Sequence, residues 1–391
     1  MRKGWEIKNL GEVVEVLDNL RKPITKKHRV EGIYPYYGAT GILSYVHEYI
    51  FDERLILIGE DGAKWKSGDN TAFIAEGKYW VNNHAHAVRP VSQKVIDNWI
   101  VYYLNFSDLT SFITGMTVPK LNQEKMRSIP IPIPPLSEQQ EIVSILDDAF
   151  ESIERAKSNA EQNLKNAEEL FESYLHEVFE NPNNNWTKQK LGNVCGFVRG
   201  PFGGSLKKNI FKPNGYAVYE QQHAIYDQFY DLRYFIDEKK FNEMKRFELK
   251  SGDLIMSCSG TMGKIAIVPE NIKRGIINQA LLKLSPSIKV SNVFLKLWMQ
   301  SESFQNSLKK YAGGAAIQNV ASVSILKNIE IPLPDISEQK KIVQKIQNFS
   351  LKTQKIESIY QQKLNDLVEL KKSILQKAFN GELKTSKNSA K

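Results

Sequence analysis

The chain is written twice, and this limits its possible folds more than any other property of the sequence. Trp5-Glu-Ile-Lys-Asn-Leu-Gly-Glu-Val13 recurs as Trp186-Thr-Lys-Gln-Lys-Leu-Gly-Asn-Val194, with Trp, Leu, Gly and Val held at a shift of 181. Ile131-Pro-Ile-Pro-Pro-Leu-Ser-Glu-Gln-Gln-Glu-Ile-Val143 recurs as Ile331-Pro-Leu-Pro-Asp-Ile-Ser-Glu-Gln-Lys-Lys-Ile-Val343 at a shift of 200. The second copy therefore carries about 19 extra residues, all between its two constant signatures. A chain of 391 residues also exceeds the usual reach of one hydrophobic core, so at least two units are expected.

After each Ser-Glu-Gln segment the apolar period becomes helical. Prolines at 132, 134 and 135 keep a helix from starting earlier, and Ser137 with Gln140 has capping-box spacing behind Leu136. From Ile142 the mainly apolar positions step by four and three through Leu146, Ala149, Ile153, Ala156, Ala160, Asn163, Ala167, Leu170 and Tyr174. The second copy follows in the same frame through Ile342, Ile346, Phe349, Thr353, Ile356, Tyr360, Lys363, Leu367, Leu370 and Ile374. Small alanines in one series against Phe and Tyr in the other suit two helices of one chain packed antiparallel; a coiled coil between two copies is the alternative. Each helix would have roughly 40 residues and run about 60 Å.

Between the signatures, short runs such as Leu55-Ile-Leu-Ile58, Thr71-Ala-Phe-Ile74, Asp253-Leu-Ile-Met256 and Lys264-Ile-Ala-Ile-Val268 alternate with glycine-rich turns, which predicts strand-rich domains. The expected organisation is a domain over 1–136, a helix over 137–180, a linker at 181–185, a second domain over 186–336, a helix over 337–380 and a basic tail at 381–391. The fold class is α+β, with two strand-rich α/β domains separated by two long helices in an internal pseudo-twofold repeat.

Lys and Arg total 53 against 44 Asp and Glu, a formal charge of +9, which favours a polyanionic partner. The lysines do not gather on one amphipathic helix beside exposed aromatics, as a membrane surface would need, so nucleic acid is the better partner. Met1 to Val14 lacks the apolar core of a signal peptide, and no run approaches the roughly 20 apolar residues of a membrane span; a cytoplasmic protein is expected. Cys195 and Cys258 have neither CxxC nor metal spacing, so no disulfide framework or zinc site is expected.

The double unit of Trp-x(4)-Leu-Gly opening, variable domain, Ile-Pro-(Ile/Leu)-Pro-x-(Leu/Ile)-Ser-Glu-Gln hinge and long helix resembles the specificity subunits (HsdS) of type I restriction-modification enzymes over nearly the whole chain. Tyr36-Tyr-Gly-Ala-Thr-Gly-Ile42 followed by Leu57-Ile-Gly-Glu-Asp-Gly62 is similar to one common class of their target recognition domains, and Ser259-Gly-Thr-Met-Gly-Lys264 to another. The resemblance implies that each variable domain recognises half of an asymmetric bipartite DNA site. It implies that the helices act as ruler and docking surface for methyltransferase subunits (HsdM, two copies) and, through them, restriction subunits (HsdR). S-adenosylmethionine, ATP and magnesium would be used by those partners, with no cofactor in this chain. A specificity protein serving a type IIB-like enzyme, or a helical adaptor that binds no DNA, are the competing readings.

Catalytic patterns are missing or better explained otherwise. An adenine methyltransferase needs (Asp/Asn)-Pro-Pro-aromatic, and the one Pro-Pro, at 134 and 135, lies between Ile and Leu. Pro334-Asp335 with Glu338-Gln-Lys340 has the residue types of a nuclease site, but its first-copy counterpart lacks the aspartate and lysine, and acidic residues favour a helix start. Gly260-Thr-Met-Gly263-Lys264 has two residues between its glycines instead of four, and Ile265 follows the lysine, so it reads as a turn between strands and not a phosphate loop. His84 and His86 alternate on an expected strand but have no third metal ligand. Aligned with Asn278-Gln279, His84 takes the place of Gln279, which suits either readout of base edges or a satisfied polar position.

Readout needs polar groups held on turns, and affinity needs cations near phosphates. The candidates are Arg21, Lys22, Tyr37, Thr40, Glu60, Asp61, Lys64 and His84 in the first domain, and Arg199, Ser205, Lys207, Gln221, Ser259, Thr261, Lys264 and Gln279 in the second. Each has a plain alternative, a solvated surface charge or a packed ring. With no catalytic constellation in the sequence, the purified chain is expected to show neither methyl transfer nor cleavage; methylation of DNA by the isolated chain with S-adenosylmethionine would contradict this.

Overall fold

The computed structural model describes residues 4–91, 93–181, 185–311 and 322–383. Most of the expected linker, at 182–184, and the tail from 384 onward lie outside the described residues. Contacts divide the chain into two compact units, Met1–Glu161 with Gln361–Lys391, and Gln162–Tyr360.

The constant signatures recur because they are bonded to each other. In the first unit β1 (Glu6–Asn9), directly after the opening Trp5, pairs antiparallel with β10 (Pro130–Ile133), Glu6 opposite Ile133. In the second, β11 (Thr187–Lys190) pairs in the same way with β19 (Glu330–Leu333), Thr187 opposite Leu333. The Leu-Gly that follows turns the chain inward: Leu10 and Leu191 are fully buried, and their amides donate to Ile129 and Ile329 carbonyls at 2.8 Å. A Cβ on Gly11 or Gly192 would press on the side chain of Arg127 or Lys327, at 3.0 and 2.9 Å, which explains the glycine in both copies.

Each ribbon runs into a long helix, Leu136–Glu180 and Ile336–Phe379. These start one residue before the expected capping serine, so Ser137 lies inside the first turn. The cap positions are Pro135, whose carbonyl accepts from Glu138 and Gln139, and Asp335, whose Oδ1 accepts the Glu338 amide at 2.9 Å. The third residue of Ser-Glu-Gln holds the junction. Gln139 is fully buried; its Oε1 accepts the Ile96 amide (3.1 Å), and its Nε2 donates to Lys94 and Pro134 carbonyls (3.0 and 2.9 Å). Gln339 repeats this with the Ser291 amide (2.8 Å) and the Lys289 and Pro334 carbonyls (both 3.0 Å).

Between the signatures each unit carries two sheets. The first has β2 (Val14–Val16), β9 (Ala85–Pro90), β6 (Leu55–Gly59) and β7 (Ala72–Ala75) in that order, and a second sheet of β4 (Gly41–Val46), β3 (Tyr34–Gly38), β8 (Lys78–Val81) and β5 (Phe51–Asp52). The second unit repeats the first sheet as β12 (Cys195–Arg199), β18 (Leu281–Pro286), β15 (Leu254–Ser257) and β16 (Ile265–Ile267), and has a three-stranded sheet of β14 (Phe235–Ile236), β13 (Tyr216–Tyr219) and β17 (Gly275–Ile277). The parallel pair β3–β8, with Tyr36 opposite Trp80, reappears as β13–β17, with Val218 opposite Ile276. Most of the extra residues of the second copy fall between β13 and β15, where helices Gln221–Ile225 and Glu238–Glu243 flank β14, which pairs with β13 as β4 pairs with β3.

The long helices pack antiparallel within the chain, not as a seam between two copies. Ile142, Val143 and Leu146 of the first share a core with Leu375, Ala378 and Phe379 of the second, while Leu175 and Phe179 share another with Ile346. Tyr174 stacks on Phe349 at 4.3 Å. Ile153 is buried, and Ala149, Ile342 and Leu367 are half-buried in the seam. Leu170, Ile356 and Leu370 depart from the expected frame, exposed by 50%, 39% and 47%. Phe171, Glu357 and Lys371 take the inward places, and Leu364 replaces Lys363. Tyr174, Tyr360, Leu367 and Ile374 stay in the expected frame, so at each of these places a step of three followed by four becomes a step of four followed by three.

Replacing Gln139 or Gln339 with Ala strands one buried amide and two carbonyls, at a cost of about 1–3 kcal/mol each. A lowered unfolding midpoint of the purified chain is the expected result, and an unchanged midpoint would remove the glutamines from this role.

Candidate nucleic-acid interface

In the first unit, the turn after β6, the β8–β9 turn and the segment before β3 meet over a buried polar network. Arg21 Nη1 donates to Glu60 Oε2 (2.6 Å) and to the Ala85 carbonyl (2.7 Å), and its Nε to the Asp18 carbonyl (3.2 Å). Lys120 Nζ lies 2.8 Å from Glu60 Oε1. His86, fully buried, places Nδ1 2.6 Å from Asp18 Oδ2 and Nε2 2.8 Å from the Leu121 carbonyl, so both ring nitrogens face acceptors. Burial pushes the Asp18 carboxyl up, but the hydrogen bond and charge of His86, the charge of Arg21 and the Ala87 amide outweigh it and hold it below its ordinary range. For Glu60, burial likewise raises, and the hydrogen bonds from Lys120 and Arg21 with the charges of His86 and Arg21 lower it further.

Arg21 and Glu60, two of the residues expected at DNA, pair with each other inside the domain, Glu60 buried and the Arg21 side chain nearly so. Tyr37 is likewise packed, its ring 5.7 Å from Phe73 and 5.5 Å from Tyr79, and burial raises its pKa. Lys22, Thr40, Lys64 and His84 are exposed on the connections around this network. Asp61, half-buried, pairs with His84 Nδ1. His84 sits on the turn before β9 and His86 points inside, so the two do not share a face as expected.

The second unit offers a different surface on the same scaffold. Arg199, Ser205 and Gln279 line one cleft of about 710 Å³ together with Lys240, Arg246 and Phe202, the last 93% exposed. Ser259 and Thr261 lie on the β15–β16 connection and Lys264 at its end, folded back by the Lys264 amide donating to Ser257 Oγ (3.0 Å), with Gly260 and Gly263 at φ 63° and 74°. A Cβ on Gly260 would lie 3.9 Å from the Gln221 amide nitrogen, and Lys207 is exposed nearby in sequence to Ser205. Lys240 and Arg246 lie in the inserted segment and belong to no motif; its cations are outnumbered by acids, so composition gave no signal for them.

Strand register also corrects the alignment of the copies. Gly59 faces Ala85 as Ser257 faces Leu281, so His84 corresponds to Ala280, and Gln279 corresponds to Asn83, which the sequence reading passed over. Cys195 and Cys258 are buried, and burial pushes both thiols up to about 12, far from a nucleophile's range. Among the described residues no helix is long and apolar enough to cross a membrane, and no group of three or more His, Cys, Asp or Glu is placed to hold a metal ion.

The type I restriction modification DNA specificity domain matches twice, over residues 2–163 and 183–376. The chain belongs to this family of DNA specificity subunits. A putative type I restriction enzyme specificity subunit of Haemophilus influenzae is 31% identical over 90% of this chain and 89% of its own length. The MjaVIII specificity subunit of Methanocaldococcus jannaschii is 25% identical over 98% and 93%. The fold matches a chain solved in work on complex assembly and conformational transition of the type I R-M system (TM-score 0.76, 19% identity, 98% of this chain and 99% of that one). It also matches the HsdS subunit of Thermoanaerobacter tengcongensis (TM-score 0.61, 19% identity, 98% of each). As a type I specificity subunit the chain recognises DNA sequence and is not itself a catalyst.

Two neighbouring cations of this specificity subunit should behave oppositely on removal. Arg21→Ala leaves Glu60 buried without its guanidinium and should destabilise by about 3 kcal/mol; Lys22→Ala should leave the melting curve unchanged and weaken DNA binding, with a shallower salt dependence. Because Asp18 and Glu60 have lowered pKa values, their stabilisation is complete above the ordinary carboxylate range near ~4 and lost as pH falls below it. Denaturation followed between neutral and acid pH checks this, and Arg21→Ala should flatten the loss.

Proposed function

We propose that this specificity subunit reads an asymmetric bipartite DNA target, one half-site per unit, across a gap set by the two long helices. The observation carrying this reading is one sheet scaffold used twice with unlike exposed connections. Equal scaffolds suit equal poses on DNA, and unlike connections suit unlike half-sites. Exposed Lys22, Lys64, Lys207 and Lys264 serve phosphates, and Thr40, Ser205, Gln221 and Thr261, exposed or half-buried, serve as further DNA contacts. Continuous helices of 45 and 44 residues give the stiffness a ruler needs. Their outward faces dock two methyltransferase subunits, through which restriction subunits join. S-adenosylmethionine, ATP and magnesium act in those cytoplasmic partners.

Base-resolution methylome sequencing of cells carrying the chain with its methyltransferase partner tests the reading. An asymmetric motif with one fixed gap is expected, and a continuous palindrome would overturn it. Lys157 and Leu364 line the same groove, so four residues inserted after each of Ala156 and Leu364 lengthen both helices at one level. The insertion adds about 6 Å and 40°, against 3.4 Å and roughly 35° per base pair. The gap should grow by one or two base pairs, with both half-sites unchanged.

A further inference from the structure

The two units share a pair of turns whose backbone is the same and whose outward side chains differ. In the first unit the Asn82 amide donates to the Tyr37 carbonyl (3.1 Å), Asn82 Oδ1 accepts the His84 amide (2.8 Å), and the Glu60 amide donates to the His84 carbonyl (2.8 Å). In the second the Asn278 amide donates to the Tyr219 carbonyl (2.9 Å), Asn278 Oδ1 accepts the Ala280 amide (3.0 Å), and the Cys258 amide donates to the Ala280 carbonyl (2.9 Å). One of these bonds ties the turn after β6 or β15 to the turn before β9 or β18, one closes that second turn on itself, and one anchors it to the end of β3 or β13. Only the asparagine is common to both copies; the residues these bonds present are Asp61, Asn83 and His84 in one, and Ser259, Gln279 and Ala280 in the other. All six are exposed or half-buried.

Resting on the bipartite reading above, we propose that these paired turns are the base-reading cassette of each unit, with Asn82 and Asn278 as positioning residues. A fixed cradle with interchangeable side chains is what one fold needs to read two sequences. Charge separates this role from phosphate binding. Asp61 would be repelled by a phosphate, and the second cassette carries no charge, whereas cations flank both, Lys64 in one and Lys264 in the other. A carboxylate at a groove edge accepts from an exocyclic amine, so Asp61 faces cytosine N4 or adenine N6 and disfavours guanine and thymine, which present acceptors there. The amides of Asn83 and Gln279 suit adenine, accepting from N6 and donating to N7.

The test transplants one cassette onto the other unit in the full complex with the methyltransferase partner, read by methylome sequencing. Asp61→Ser with Asn83→Gln and His84→Ala should change one to three adjacent bases in one half-site and leave the other half-site and the gap intact. Ser259→Asp with Gln279→Asn and Ala280→His should change the other half-site instead. The near-isosteric Asp61→Asn guards against misfolding: it should relax discrimination at one base by roughly tenfold. An unchanged motif in both transplants, or an even loss of methylation at every site in Asp61→Asn while the complex assembles and melts as the unaltered one does, overturns the cassette. A wild-type motif that is not bipartite overturns the two-reader reading instead.

Discussion

Each long helix starts where a strand ends, and the junction is held by one side-chain amide. Gln139 and Gln339 each bond three backbone groups, drawn from their own helix start and from the loop entering the helix after β9 or β18. Because they are fully buried, a slip of the helix would strand donors and acceptors away from water. The junction therefore transmits orientation from sheet to helix without a flexible loop.

The constant signatures are explained by the same geometry. The opening Trp-x(4)-Leu-Gly and the Ile-Pro-x-Pro hinge lie far apart in sequence yet form one antiparallel ribbon in each unit. The chain between them is closed into a loop whose two ends are bonded together, so its length and content vary without disturbing the helix. Insertion of two helices between β13 and β15 leaves the β12–β18–β15–β16 sheet in the order of its counterpart.

The surface charges divide into two kinds by solvation. Arg21, Glu60, Asp18 and His86 form a desolvated network, with the half-exposed Lys120 at its edge, in which each charge has a partner, and such groups hold turns in place. Lys22, Lys64 and Lys264 stand in water and remain available to phosphates. Sequence alone treats Arg21 and Lys22 as equals, since neighbouring cations look the same until burial separates them.

The sequence by itself determined the duplication, the helix pair, the main strands and the family, because repeats and apolar periods are local patterns that survive without coordinates. It located the hinge but not the role of its glutamine, whose partners Ile96 and Ser291 lie more than forty residues away. It placed Leu170, Ile356 and Leu370 in the seam, where only packing against the facing helix decides which of two adjacent residues faces inward. It aligned His84 with Gln279, a one-residue error that only strand register removes, because neighbouring side chains on a turn have no period to read. Which polar residues are spent inside and which are offered outside was decided by tertiary structure, since burial and partner geometry are properties of chain segments brought together from a distance.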